Sequence, residues 1–288
     1  MKIESVVVIG SGTMGRGIAQ VAAASGLNTH LYDAATHQLS GALEQIDRDL
    51  QRLVAKEKLK SDAAAAARGR LQKAESLDRL PWGQIQLVIE AIFEDFNAKK
   101  TLYGQIDPRL SAGAILASNT SSISITQLAA TTQRADRFIG MHFFNPVPVM
   151  GLVEIIRGLN TSDETCRAIE ALAKQMNKSP LLVNDMPGFV SNRVLMPLIN
   201  EAAFCVMEHV ADAATIDQVM QLGCAHTMGP LSTADLIGLD VCVHIMEVLQ
   251  RELGDPKFRP CPLLRTLVHA GRLGRKSGRG FFEYPAKK

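Results

Sequence analysis

The apolar residues change period along this chain. Residues 6–9, Val-Val-Val-Ile, form a short β-branched run bounded by Gly10, the pattern of a strand buried on both faces in a parallel sheet. A helix over residues 13–24 follows, stopped by Ser25-Gly26, and residues 28–32 read as a second strand closing on Asp33. Together they make a βαβ unit of about 30 residues. Residues 36–73 read as helical throughout, with the alanine run 63–67 a strong helix former. Strands are expected at 85–89 and 114–117 with a helix over 97–110 between them. Further strands are expected at 137–142 and 152–156, then a helix over 163–175 and a strand at 180–183.

The alternation stops at Asn184-Asp185-Met186-Pro187-Gly188. Beyond it Val190, Val194, Leu198, Ala202, Val206 and Val210 recur at helical spacing, with Pro197 a point of kinking. Thr215-Ile216-Asp217-Gln218 fits a capping box, and Ser232 fits the cap of a helix running to Gly254. The pattern therefore predicts an α/β Rossmann-like domain with a mostly parallel sheet over residues 1–185, and an all-α domain over residues 186–288.

Composition narrows the function classes. A chain of 288 residues suits two domains. The net charge of +2 is too small a surplus to predict binding to nucleic acid or a membrane surface. All of it lies in residues 1–184, with nine Lys+Arg against five Asp+Glu between Arg48 and Arg79. No run approaches the ~20 apolar residues of a membrane span. The five cysteines are widely spaced without C-x-x-C, which excludes a disulfide framework and a cysteine metal site, so buried free thiols in a reducing compartment are expected. The expectation is a cytoplasmic protein with no nucleic-acid partner, no membrane and no metal.

Gly10-Ser11-Gly12-Thr13-Met14-Gly15 is a G-x-G-x-x-G loop between a strand and a helix. Gly10 permits the tight turn, Gly12 lets backbone approach a pyrophosphate, and Gly15 lets the helix pack close to the strand. Amide groups at the helix start, around Thr13 and Met14, face the phosphates. Asp33, 18 residues past Gly15, is placed to bond both ribose hydroxyls of NAD and to repel the 2′-phosphate of NADP. NAD is the expected cofactor. The plainer alternatives are a glycine turn that only packs and an aspartate that only closes a turn.

His142 ends one strand and Glu154 lies in the next, with Pro146 and Pro148 shaping the connection. A carboxylate on one imidazole nitrogen fixes the tautomer and stabilises the imidazolium, so the other nitrogen can take a proton near neutral pH. An alcohol oxidised by NAD needs such a base. A structural histidine at a strand end is the alternative.

His142-Phe143-Phe144-Asn145-Pro146-Val147-Pro148-Val149-Met150 with Glu154 resembles the signature of the L-3-hydroxyacyl-CoA dehydrogenases, and the short chain is most similar to the bacterial 3-hydroxybutyryl-CoA group. The resemblance extends over nearly the whole chain. It includes Val88-Ile89-Glu90-Ala91 with Glu94 and Lys99, Ser118-Asn119-Thr120-Ser121-Ser122, Gly188-Phe189-Val190-Ser191-Asn192-Arg193 and Gly274-Arg275-Lys276-Ser277-Gly278. It implies reversible NAD-dependent oxidation of a short-chain L-3-hydroxyacyl-CoA in fatty-acid metabolism of the β-oxidation type. It also implies a homodimer formed through the helical domain. Carried over by residue, His142 is the general base and Glu154 its orienting partner. Ser121 and Asn192 bond the reacting oxygen or the thioester carbonyl. Asn145 supports the nicotinamide side, Asp33, Glu94 and Lys99 meet the NAD riboses, and Lys56 meets the CoA phosphates. Asp49 and Gly151 depart from the family pattern. The other readings of the same features are a 3-hydroxyadipyl-CoA-type dehydrogenase, a dehydrogenase of free hydroxy acids or sugar acids, and a non-catalytic NAD-binding protein.

Overall fold

The computed structural model describes residues 2–285. The chain divides into two compact units between Met186 and Pro187. In the first, β1 (Ser5–Ile9), α1 (Thr13–Ala24) and β2 (Asn28–Tyr32) form the expected βαβ unit. Next come α2 (Thr36–Ala55), α3 (Ser61–Arg70), β3 (Leu71–Ala74), β4 (Leu87–Glu90), α4 (Phe96–Ile106), β5 (Ile115–Ser118) and α5 (Ile125–Ala129). The unit closes with β6 (Phe138–Phe143), β7 (Leu152–Arg157), α6 (Asp163–Gln175) and β8 (Ser179–Asn184).

The eight strands make one sheet in the order β3-β2-β1-β4-β5-β6-β7-β8. Every neighbouring pair is parallel except β6 and β7. The order reverses direction between β1 and β4, and ligands of such sheets bind outside the carboxyl ends of the strands at that point. The central strands are apolar on both faces because helices cover both: Val6, Val7, Val8 and Leu87, Val88, Ile89 are fully buried. Ile18, Ala19, Ala22 and Ala23 of α1 and Leu39, Ile46 and Leu50 of α2 belong to the same core.

Residues 36–73 are not helical throughout. The helix breaks after Ala55, resumes at Ser61 and gives way to β3, which pairs with β2 as an edge strand. Leu-Gln-Lys-Ala is too short to show a period of two, and only Leu71 and Ala74 are buried. The helix expected over 97–110 stops at Ile106, because Pro108 tightens the chain into a 3-10 turn.

The second unit is all-helical: α7 (Ser191–Met207), α8 (Ala213–Cys224), α9 (Pro230–Ile237), α10 (Leu239–Leu253) and α11 (Pro262–His269). Met196, Ile199, Leu231, Leu239, Met246, Leu249 and Leu264 form its core. Two expectations fail here. The cap of α8 is Asp212, which accepts from the Thr215 amide, so Thr215 lies inside the first turn and opens no capping box. Asp217 instead turns to α9 and accepts from the amides of Leu231 and Ser232. The helix expected from Ser232 to Gly254 is two helices, split at Gly238 with φ +109°. Asp235, 1% exposed, accepts from the amides of Phe281 and Phe282 and from the Tyr284 hydroxyl, tying residues 274–284 down.

Cys166, Cys242 and Cys261 are buried, but Cys205 is half-buried and Cys224 exposed, and none of the five forms a disulfide. Burial and the nearby Asp240 and Asp235 push the Cys242 thiol up to about 12. No helix among the described residues is long and apolar enough to cross a membrane, and these residues contain no cluster of three potential metal ligands.

Candidate active site

The glycine loop closes the turn between β1 and α1. Gly10 sits at φ +104°, where a side chain would meet the Ala91 carbonyl oxygen at 2.4 Å. A Cβ on Gly15 would lie 1.8 Å from the Gly10 oxygen. Gly12 differs: a Cβ there would meet nothing within 4 Å. Packing therefore requires the first and third glycines, while the middle one borders open space. α1 begins at Gly12 with no side-chain cap and no acid in its first turn, which leaves a helix N-terminus suited to an anion. Asp33 lies across the loop mouth. Its carboxylate accepts from the Ser11 amide (2.7 Å), the Ser11 hydroxyl (2.8 Å) and the Ala35 amide (2.8 Å). Gly10, Gly12, Thr13, Met14 and Asp33 line one cavity of about 860 Å³, completed by Gln38, Phe93 and Gln105 among others. The site fits a dinucleotide: an uncapped helix start for its phosphates, a carboxylate for ribose hydroxyls and an apolar wall for its base.

Beside this cavity the ends of β4 and β5 are held by two carboxylates. Glu90 is fully buried and accepts four hydrogen bonds, from Lys99 Nζ (2.6 Å), the Ile92 amide (2.8 Å), the Tyr103 hydroxyl (2.7 Å) and the Ser118 hydroxyl (2.7 Å). Burial and the charge of Glu90 raise the Tyr103 phenol well above its ordinary value, so it stays a donor. Glu94 is partly exposed. Its Oε1 accepts from the Thr120 hydroxyl (2.6 Å), the Ser121 amide (2.8 Å) and the Ser122 amide (3.0 Å). Burial alone would raise the pKa of Glu94. Lys99 and the donors on residues 120–122 outweigh it and hold the carboxyl below its ordinary value. The Lys99 side chain is 1% exposed, and its ammonium lies between Glu90 at 2.6 Å and Glu94 at 3.4 Å.

His142 and Glu154 are directly opposite in the antiparallel β6–β7 pair, which is why a spacing of twelve brings them together. His142 Nδ1 lies 2.8 Å from Glu154 Oε2, and the two residues are 8% and 3% exposed. The His142 ring also packs on Phe144, with centroids 4.7 Å apart. With Nδ1 committed to the carboxylate, Nε2 is the ring nitrogen at which the imidazole can exchange a proton. Asn145 follows on an exposed connection, joined to Pro146 by a cis peptide. That connection is clamped from two sides. Val147 packs where a Cβ on Gly17 would stand 2.9 Å away, and Lys178 Nζ donates to the carbonyls of Val147 (2.6 Å) and Met150 (2.7 Å).

Ser121 stands in the first unit on residues tied to Glu94. Asn192 belongs to the second, near the start of α7, where its amide donates to the Gly188 carbonyl. Lys56 is exposed at the end of α2 and takes part in no ion pair among the described residues. Asp49 is occupied on its own helix by Gln45 and Arg52, and nothing in the structure explains Gly151. Near the quoted glycines of residues 274–278, Lys276 pairs with Asp240, Arg279 with Glu283, and Arg275 lies over the Tyr284 ring. Sequence reasoning gave no role to Asn119 or Lys178. Asn119 sat unassigned within a quoted motif, and Lys178 carried no signal, since a lysine just past a helix end reads as solvated.

Family models match both units. Residues 5–186 match the NAD-binding domain of 3-hydroxyacyl-CoA dehydrogenase, and residues 188–284 match the C-terminal domain of the same family. The chain belongs to the 3-hydroxyacyl-CoA dehydrogenase family. It is 50% identical over 287 residues to a protein of Bacillus subtilis described as a probable 3-hydroxybutyryl-CoA dehydrogenase, covering 100% of this chain and 99% of that one. A 3-hydroxybutyryl-CoA dehydrogenase of Bradyrhizobium diazoefficiens is 46% identical over 286 residues, covering 99% of this chain and 97% of that one. The crystal structure of (S)-3-hydroxybutyryl-CoA dehydrogenase from Ralstonia eutropha superposes with a TM-score of 0.95 at 50% identity, covering 99% of this chain and 100% of the other. As a 3-hydroxyacyl-CoA dehydrogenase, the chain uses the mostly parallel sheet of its first unit to bind NAD.

Proposed function

We propose that this enzyme oxidises a short-chain L-3-hydroxyacyl-CoA, such as 3-hydroxybutyryl-CoA, to the 3-oxoacyl-CoA, and runs the reverse reduction when NADH is in excess. The observation that carries the reading is the buried His142–Glu154 pair on β6 and β7. NAD, when bound, supplies the hydride acceptor. His142 Nε2 takes the proton of the C3 hydroxyl, and Glu154 fixes the tautomer at Nδ1 and stabilises the imidazolium that forms. Proton transfer of this kind contributes ~10²–10⁴-fold. The uncapped start of α1 holds the dinucleotide phosphates, and Asp33 favours ribose hydroxyls over a 2′-phosphate.

Ser121 and Asn192 bond the reacting oxygen or the thioester carbonyl, and Asn145 supports the nicotinamide side. Lys56, on a turn shared with Lys58 and Lys60, meets the CoA phosphates, which gives local placement to a nearly neutral protein. In the second unit Val210, Val219 and Leu222 are exposed, the last by 87%, which supports pairing of two chains through that unit. Five unpaired cysteines support a reducing, cytoplasmic location.

The test is NADH oxidation with acetoacetyl-CoA, with free acetoacetate as comparator. Activity only with the thioester, lost in His142→Ala while NADH binding survives, supports the reading. Equal activity on the free acid, or unchanged turnover in His142→Ala, overturns it.

A further inference from the structure

The strand that carries His142 runs past its parallel neighbour. The β5–β6 ladder ends at Ser118 opposite Gly140, so Met141, His142 and Phe143 have no β5 residue beside them. On the opposite flank β7 accompanies β6 as far as Phe143, paired with Val153. The flank toward β5 is completed by a side chain. The Phe143 amide donates to Asn119 Oδ1 at 2.9 Å, and Phe143 is 2% exposed. A buried amide left without an acceptor is costly, so the strand end would move to find one.

Asn119 is itself braced. Its amide donates to the Glu90 carbonyl at 2.8 Å, continuing the β4–β5 ladder by one residue. The preceding Ser118 hydroxyl donates to the Glu90 carboxylate. The following Thr120 hydroxyl donates to Glu94. Asn119 Oδ1 therefore stands on a fixed frame at the carboxyl edge of the sheet, bonded to Phe143, which is one residue past His142 and two before Asn145. The Phe143 bond also settles the orientation of the carboxamide, since only its oxygen can accept from an amide.

We propose that Asn119 is a positioning residue for the dehydrogenase reaction, supplying the ladder acceptor that β5 lacks and thereby fixing the end of β6 from which His142 reaches substrate. The proposal rests on His142 being the general base. Misplacing a catalytic group by about 1 Å can cost 10²-fold in turnover, and cofactor phosphates held at α1 do not share that cost.

Two variants separate the acceptor from mere bulk. Asn119→Leu keeps the size and removes the oxygen. Asn119→Asp keeps an oxygen in the same place. Both are compared with wild type and His142→Ala by steady-state reduction of acetoacetyl-CoA, NADH affinity by cofactor fluorescence, and thermal melting. In Asn119→Leu, kcat is expected to fall roughly 10- to 100-fold with NADH affinity within about threefold. In Asn119→Asp, kcat is expected to recover to within about threefold of wild type. Asn119→Leu with wild-type kcat overturns the proposal. So does Asn119→Asp as impaired as Asn119→Leu while still folded, or a loss confined to KM. An inactive wild type, or an active His142→Ala, instead strikes the parent reading.

Discussion

Glu90 offers the sharpest test of how the first unit is held together. Glu90→Leu removes the acceptor of four donors at once, and one of them is a lysine with 1% exposure. Breaking a buried ion pair by deleting one partner costs about 3–5 kcal/mol, because the other charge stays buried. Glu94 at 3.4 Å is the remaining anion for Lys99, which favours the lower part of that range. For a unit of this size each kcal/mol moves Tm by roughly 2–4 °C, so the expected loss is roughly 6–20 °C. Trp82 makes the measurement specific. It is the only tryptophan, lies in the first unit, and donates to the Leu77 carbonyl at 2.7 Å, so its fluorescence reports this unit alone. Glu90→Gln keeps an acceptor and the shape and should lose only about 1–3 kcal/mol. Glu90→Leu with Lys99→Met removes both charges and should be less damaged than Glu90→Leu alone. A Trp82 transition in Glu90→Leu within about 2 °C of wild type would refute the reasoning.

Glu154→Gln keeps an acceptor for Nδ1 but not the charge that stabilises the imidazolium; turnover should fall roughly tenfold or more with the fold intact by circular dichroism, and normal turnover would remove Glu154 from the mechanism. Asp33→Ser should lower the preference for NADH over NADPH by roughly tenfold or more in kcat/KM, and an unchanged ratio would show that Asp33 does not select the cofactor. Glu94 titrates below its ordinary value of 4.5 when folded, so its contribution to stability is complete above that pH and drains away as pH falls through the lowered value. The Trp82 transition of wild type should therefore drop more steeply below pH 4.5 than that of Glu94→Gln, and parallel curves would contradict it. Lys178→Met deletes two charge-assisted bonds to the connection bearing Asn145, and burial already disfavours that ammonium; a cost of about 1–3 kcal/mol in urea unfolding is expected, and an unchanged midpoint would count against the clamp.

The fold was legible wherever burial imposes a period. Val6 to Ile9 and Leu87 to Ile89 in the neighbouring β4 are apolar on both faces because helices cover both sides of a parallel sheet. β3 was missed because an edge strand of four residues buries only two side chains and borrows its geometry from β2. The long helix assigned to residues 232–254 failed for a related reason. Gly238 looks tolerable inside a helix, and only the backbone shows φ +109° there. Capping was misassigned because Asp212 and Thr215 both have capping chemistry. Asp217, three-dimensionally adjacent to α9, is spoken for by amides 14 and 15 residues away.

The site was legible to the depth that local spacing reaches. The glycine loop is contiguous, and the His142–Glu154 pair is set by a single antiparallel register, so a sequence distance translates directly into contact. The layer beneath is not local. Glu90 meets Ser118 at a separation of 28, and Asn119 meets Phe143 at a separation of 24, across three strands joined by crossovers. Those contacts follow from sheet order, which periodicity does not encode. The same topology makes Lys99 a buried counter-ion. A lysine near the site is attracted to anions, and Glu90 and Glu94 are the anions the fold brings within its reach. Charge near a nucleotide site is then no guide to contact until the buried carboxylates are located. Here those carboxylates bind the strand ends together, Glu90 through the Ser118 hydroxyl and Glu94 through the Thr120 hydroxyl.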